Sequence, residues 1–143
     1  MSQLRVQVIS QEKPLLDDTA DLVLLPGAEG ELGILPQHQP LITKLQAGIV
    51  TIRKANKDIQ ISVSGGFATV EADNSVTILA DTATKAEEIS LKQAEEAKIR
   101  AEEKMKQRTN ISEREFRIAE LELKKAIVDL QVARKRRPGL HNQ

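Results

Sequence analysis

Apolar and polar residues alternate along the first part of the chain and recur at helical spacing along the second. Leu4, Val6 and Val8 alternate with Arg5 and Gln7, the period of a half-buried strand. Ile49 and Val50 open a strand that runs through Ile52 to Lys54. Ile59, Ile61 and Val63 alternate with Asp58, Gln60 and Ser62. The turn-like segment Ala55-Asn56-Lys57-Asp58 joins these two runs into a hairpin. Phe67 to Glu71 and Val76 to Ala80 predict a second hairpin around Asp73-Asn74. Short strands with regular turn signals predict an antiparallel β-sandwich or flattened barrel over residues 1–84.

After Thr84 the period changes. Ser90-Leu91-Lys92-Gln93 has the form of a capping box, with Ser90 as N-cap. Leu91, Ala94, Lys98, Ala101 and Met105 then share one stripe of a helix ending near Gln107. Thr109-Asn110-Ile111 is a short connector, and Ser112-Glu113-Arg114-Glu115 is a second capping box. The second helix runs to about Arg136, where Pro138-Gly139 stops it. Roughly 24 residues at ~1.5 Å each reach about 36 Å. One of its apolar rows is Phe116, Ala119, Leu123, Ala126, Ile127 and Leu130, and a second is Ile118, Leu121, Val128 and Val132. One row closes an antiparallel helical hairpin over residues 85–143, and the second is more than a two-helix hairpin needs. The fold expected is therefore β then α.

Composition sharpens the division. All 7 Gly except Gly139 and all 5 Pro except Pro138 precede Thr84, as helices of good formers require. The net charge of zero hides a split: residues 1–84 carry 6 Lys+Arg against 10 Asp+Glu, and residues 85–143 carry 15 against 11. The first unit is thus −4 and the second +4, which makes the second suited to acidic partners. With no Cys and two His, thiolate metal sites, disulfides and cysteine nucleophiles are excluded. Two Phe and no Tyr or Trp leave no stacking platform, so nucleic acid is not an expected partner. Neither a signal-peptide core nor an 18-residue apolar run is present, so a cytoplasmic location is expected.

No catalytic constellation stands out. Ser64 lies in Ser-Gly-Gly rather than in a nucleophile elbow, and no Ser nucleophile motif accompanies His38. Asp17, Asp18 and Asp21 lack the ligand spacing of a calcium loop and are expected in a solvated acidic loop. Gly33 and the pair Gly65-Gly66 are expected at strand ends or bends, with positive φ or a bulge, or with close backbone approach by a partner as the functional alternative. The run Arg134-Lys135-Arg136-Arg137 either complements a helix C-terminus or faces an acidic protein surface.

Gly30-Glu31-Leu32-Gly33-Ile34-Leu35-Pro36-Gln37-His38 resembles the signature loop of the epsilon subunit of bacterial F-type ATP synthase. Ser64-Gly65-Gly66-Phe67 with Val76-Thr77-Ile78-Leu79-Ala80-Asp81 resembles a second block of that family, and Ala119-Glu120-Leu121 through Lys125-Ala126 resembles its last helix. The likeness runs in order over nearly the whole chain. It implies a non-catalytic rotor subunit on the central stalk, beside the gamma subunit and the c-ring, peripheral to the cytoplasmic face of the plasma membrane. It implies coupling of proton-driven rotation to ATP synthesis, with Glu31, Gly33 and His38 at the rotor interface. It also implies that the helices extend into the alpha/beta catalytic head and restrain hydrolysis, with Lys124, Lys125, Arg134, Lys135, Arg136 and Arg137 as the residues that would act there. Some members bind ATP through Ile/Leu-Asp-x-x-Arg-Ala. The corresponding segment here reads Arg114-Glu115-Phe116-Arg117-Ile118-Ala119, and Ile118 offers no bidentate donor to phosphate. No cofactor is therefore expected, with Glu115 and Arg117 the residual nucleotide candidates. The alternatives are a nucleotide-sensing variant of the same subunit and an unrelated adaptor of the same architecture.

Overall fold

A computed structural model describes residues 3–11 and 13–136, with the backbone alone at residue 136. The chain folds as two units, Met1–Thr84 and Lys85–Gln143.

The first unit holds the strands β1 (Leu4–Ser10), β2 (Lys13–Ala20), β3 (Leu22–Gly27), β4 (Gly30–Ile34), β5 (Leu41–Leu45), β6 (Gly48–Lys54), β7 (Lys57–Val63), β8 (Gly66–Val70) and β9 (Ser75–Ala80). A short β10 (Ala83–Lys85) follows at the edge of the sheet beside β7. The order across the sheet is β10-β7-β6-β3-β5-β8-β9-β1-β2, with β4 added on β3. Between β3 and β5 the pairing is confined to Gly27 opposite Leu45, so the sheet turns a corner there. β1 pairs with β2 antiparallel but with β9 parallel, an exception to the antiparallel sandwich expected. The reason lies in the order: β1 is inserted between the last long strand and its own hairpin partner.

The core follows from strand alternation. Leu4, Val6, Val8, Val23, Leu25, Val50, Ile61, Val76 and Ile78 are wholly buried and lie on the inward faces. The β6–β7 hairpin closes on two residues, Ala55 and Asn56, at φ 50 and 69, the signature of a type I′ turn. Lys57 and Asp58, expected within the turn, are instead already in β7. Asp21 steadies the turn by accepting the Ala55 N–H at 2.9 Å.

Two readings of the first unit change. Asp17 and Asp18 lie in β2, and only Asp21 sits between strands. Asp17 accepts from Arg5 and Gln7, Asp18 from Lys54, and Asp21 from Ala55 N–H and Gln3, which holds all three carboxyls below the usual carboxylate value. Their charges thus serve strand pairing rather than an acidic loop. Gly33 is an extended residue of β4 opposite Leu24, without positive φ. The positive φ belongs to Gly30, at 134°, and to Gly65 and Gly66, at 137° and 134°.

In the second unit, a 3-10 turn at Ala86–Glu88 leads to α1 (Leu91–Lys106) and α2 (Glu113–Arg136). Ser90 caps α1 by accepting the Gln93 N–H at 3.2 Å. The capping box of α2 is reciprocal: Glu115 N–H donates to Ser112 Oγ at 3.1 Å, and Ser112 N–H donates to Glu115 Oε1 at 3.3 Å. α2 packs along α1 and touches the turn that precedes it, so the helices run antiparallel. Ala94 and Ala101 of α1 are buried, as are Ala119, Ala126, Leu130, Val132 and Ala133 of α2. The second row of α2 is split, because Ile118 and Leu121 are exposed whereas Val132 is buried. Ile127, placed on the first row, is 39% exposed. The helix stop at Pro138-Gly139 lies outside the described residues.

Candidate partner-binding surface

The segment read as one loop from Glu31 to His38 divides in two. Glu31 and Gly33 belong to β4, with Glu31 exposed opposite Pro26. Pro36, Gln37 and His38 lie in the loop that follows. His38 N–H donates to Leu35 C=O at 3.1 Å, closing a turn with Pro36 and Gln37 at its centre. His38 Nδ1 lies 2.7 Å from Gln39 C=O. A carbonyl only accepts, so Nδ1 carries the hydrogen in this contact and the other ring nitrogen is left to other partners.

A surface that the sequence reading did not single out crosses four strands. Lys44 of β5 lies opposite Phe67 of β8, Phe67 opposite Leu79 of β9, and Leu79 opposite Ile9 of β1. Because Ala68, Ile78 and Val8 are buried, this row points outward. Phe67 and Leu79 are 52% and 51% exposed, and Ile42, two residues from Lys44 on β5, is 75% exposed. An outward apolar row of this kind marks an interaction surface. Its signal in the sequence is that Phe67-Ala68-Thr69-Val70 and Val76-Thr77-Ile78-Leu79-Ala80 place apolar residues on both faces and no charge on either.

Beside the row, Ser64-Gly65-Gly66 is a structural lock. Thr82 N–H and Thr82 Oγ1 donate to Ser64 Oγ at 3.0 and 2.8 Å, and Asp81 N–H donates to Gly65 C=O at 3.0 Å. A Cβ on Gly66 would overlap the Leu79 carbonyl oxygen and lie 2.9 Å from Ala80 Cα. The close approach at Gly66 is made by β9, and Gly65 faces the Asp81 side chain and the Leu45 carbonyl.

The basic residues of α2 are not equivalent. Lys125 donates to Asp129 at 2.7 Å, with 18% and 13% of the two side chains exposed, so Lys125 is engaged within its own helix. Lys124, Arg134 and Lys135 are exposed. The Arg136 side chain and all of Arg137 lie outside the described residues. Glu115 is committed to the cap, and Arg117 lies 3.9 Å from Glu113 in an exposed pair. Arg117, but not Glu115, lines an open hollow of about 360 Å³ together with Arg108, Ile111, Phe116 and Glu120 among others. Arg108 lies over the Phe116 ring at 4.2 Å from its centre. Two arginines face two glutamates here, Glu113 and Glu120, a balance that does not favour a polyphosphate. The pattern Ile/Leu-Asp-x-x-Arg-Ala is met more closely at Ile89-Ser90-Leu91-Lys92-Gln93-Ala94, with Ser for the acid and Gln for the arginine. There too the charged pair is missing, and the Ser90 hydroxyl is taken by the cap.

Residues 3–86 match the family described as the ATP synthase delta/epsilon chain β-sandwich domain, and residues 87–134 match its long α-helix domain. The ATP synthase epsilon chain of Desulfitobacterium hafniense strain Y51 is 43% identical over 129 residues, 90% of this chain and 95% of that one. The epsilon chain of Herpetosiphon aurantiacus is 41% identical over 134 residues, 94% of this chain and 96% of that one. Among solved structures, a chain of the Euglena gracilis mitochondrial ATP synthase, in a structure of OSCP, F1 and c-ring, aligns with a TM-score of 0.74 at 25% identity, covering 90% of this chain and 79% of that one. A chain from the central stalk and c-ring of the Tetrahymena thermophila enzyme shares the fold, with a TM-score of 0.63 at 17% identity over 92% of this chain and 97% of that one. With both units matched in order and two fifths of the residues identical to epsilon chains, this chain belongs to the delta/epsilon chain family of ATP synthase.

Proposed function

We propose that the chain is the non-catalytic epsilon subunit of an F-type ATP synthase, turning with the central stalk at the cytoplasmic face of the membrane. Its first unit grips the gamma subunit and rests against the c-ring, so that proton-driven rotation reaches the catalytic head. The observation that carries this reading is the outward row of Phe67 and Leu79 with Ile42 beside it. A sandwich whose inner faces are already filled has no packing use for these side chains, and a stalk subunit needs a lasting apolar contact. Glu31, Gly33 and His38 border the same unit at β4 and the loop after it and are assigned to the rotor interface. The non-catalytic reading is supported by the commitment of Ser64 and Glu115, the groups nearest to chemistry, to structural hydrogen bonds. No helix among the described residues is long and apolar enough to cross a membrane, consistent with attachment through the complex.

The second unit is the restraining arm. α2 leaves its hairpin and presents Lys124 and the basic end from Arg134 to Arg137 to acidic surface of the alpha/beta head. Lys125 takes part only after its bond to Asp129 opens. ATP does not bind the chain, since Ile118 in one segment and Gln93 in the other stand where the nucleotide motif places its arginine.

Changing Phe67 to Glu tests the rotor contact. The side chain is exposed, so the fold should keep its stability within about 0.5 kcal/mol. Affinity for the gamma subunit should fall by at least ~30-fold, the effect of losing an anchor residue. Unchanged affinity would overturn the assignment of this row. For the arm, neutralising Arg134, Lys135, Arg136 and Arg137 together should raise ATP hydrolysis by the assembled enzyme without loss of assembly, and equal hydrolysis would refute the arm.

A further inference from the structure

We infer that Asn74 is a positioning residue, holding the turn Leu35–His38 in the one peptide orientation that aims its exposed residues at the stalk partner; the partner half of this statement rests on the reading just given. Pro36 fixes φ near −65° at the second position of the turn, and Gln37 follows at φ 69. With His38 N–H bonded to Leu35 C=O, this is the type II form, which normally takes Gly or Asn where Gln37 stands. Gln is strained at this φ. The type I form would relieve the strain by rotating the Pro36–Gln37 peptide through about half a turn. That rotation carries the Gln37 N–H with it.

In the type II form the Gln37 N–H donates to Asn74 Oδ1 at 2.7 Å, across 37 residues of sequence. The acceptor is itself firmly placed. Asn74 sits at φ 68 in the β8–β9 turn, a conformation Asn tolerates. Its N–H donates to Glu71 C=O at 3.2 Å, and its C=O accepts the Arg5 N–H at 2.9 Å. Asn74 thus ties the start of β1, the β8–β9 turn and the loop after β4. The type I form would lose this bond, so the side chain of Asn74 selects the strained form. The loop it holds presents Leu35, which is 58% exposed, and His38.

Three variants of the full chain separate the roles. Asn74→Gly keeps the left-handed backbone and removes the acceptor, Asn74→Asp keeps an acceptor, and Asn74→Gly with Gln37→Gly removes the acceptor but makes positive φ easy at position 37. In Asn74→Gly, the Gln37 amide should exchange with solvent at least about tenfold faster, its HN–Hα coupling should shift to that of negative φ, and affinity for the gamma subunit should fall by about tenfold, as the loss of one such bond allows. Asn74→Asp should behave as the parent. The double variant should regain affinity and positive φ at position 37 while its amide remains fast. Unchanged exchange and coupling of Gln37 in Asn74→Gly would overturn the clamp. A rotated turn with undiminished affinity would overturn the positioning role and remove this loop from the partner contact. That outcome is distinct from failure of the Phe67→Glu test, which concerns the apolar row.

Discussion

The two units are built from different apolar material. In the first, 17 buried apolar residues form one cluster of which three are Ala, so the core is made of Val, Ile and Leu. In the second, five of the eight buried apolar residues among those described are Ala. Burying a Val, Leu or Ile side chain contributes about 1.5–3 kcal/mol, and an Ala methyl contributes about 0.8 kcal/mol. The strands are further tied by long-range ladders, whereas each helix makes its own backbone bonds whether or not the hairpin is closed. A β unit with these properties opens as a whole and at high cost. A helical unit with these properties can separate its helices without unfolding the β unit, leaving each helix marginal and open to exchange until it finds another partner, which an arm that changes partners requires.

The comparison is broken most severely at Gly66. Gly66→Ala places a Cβ onto the Leu79 carbonyl at a φ that L residues rarely adopt, and nothing in the backbone there yields cheaply. The first unit should lose more than about 4 kcal/mol or fail to fold, read by chemical denaturation. Ala101→Leu is the matching test in the second unit. It forces three extra carbons between closely packed helices and should cost the closed hairpin about 1–3 kcal/mol. Helix content should persist while exchange protection of α1 and α2 drops and that of the strands does not. Ser112→Ala removes half of the reciprocal cap of α2 and should cost about 1 kcal/mol, seen as fraying of its first turn.

The smallest effect is electrostatic and confined to acid. Arg5 beside Asp17, Lys54 beside Asp18, the Ala55 N–H on Asp21, Arg53 beside Asp58 and Ser75 beside Asp73 each hold a carboxyl below its ordinary value of 3.8. A depressed folded-state value stabilises the fold fully above the unfolded value and less as pH falls through the folded one. The melting temperature of the first unit should therefore be flat from about pH 7 to 5 and fall below about pH 4. Asp18→Asn should flatten that fall slightly, and because these groups are exposed the change is expected to be small.

How much of this was legible in the sequence follows the same division. The N-caps of α1 and α2 and the end of α1 were readable, because Ser90, Ser112 and Glu115 act on neighbours three residues away. The β6–β7 and β8–β9 hairpins were readable for the same local reason. Strands β2 to β5 were not, because Asp17 and Asp18 look like a polar loop until Arg5 and Lys54 are brought beside them. Gly33 invited a bend because its neighbours at β3 are set by pairing rather than by local sequence. The apolar row was hidden similarly: Phe67, Leu79 and Ile9 are far apart in the chain and become a surface only through the register of three strand pairs. The Asn74 bond to Gln37 spans the same kind of distance. Lys125 was grouped with the basic residues of the arm, although Asp129 at i+4 is the signal for its engagement within the helix.

Native-state amide exchange of the full chain tests the contrast between the units most directly. The buried-strand amides of β1, β6 and β9 should exchange only through global unfolding, with a strong dependence on denaturant. The amides of α1 and α2 should exchange through a smaller opening of lower free energy, with a weak dependence on denaturant. Helix amides protected to the same free energy and with the same denaturant dependence as those of β1, β6 and β9 would contradict the account, because the chain would then contain one stability and no arm free to move.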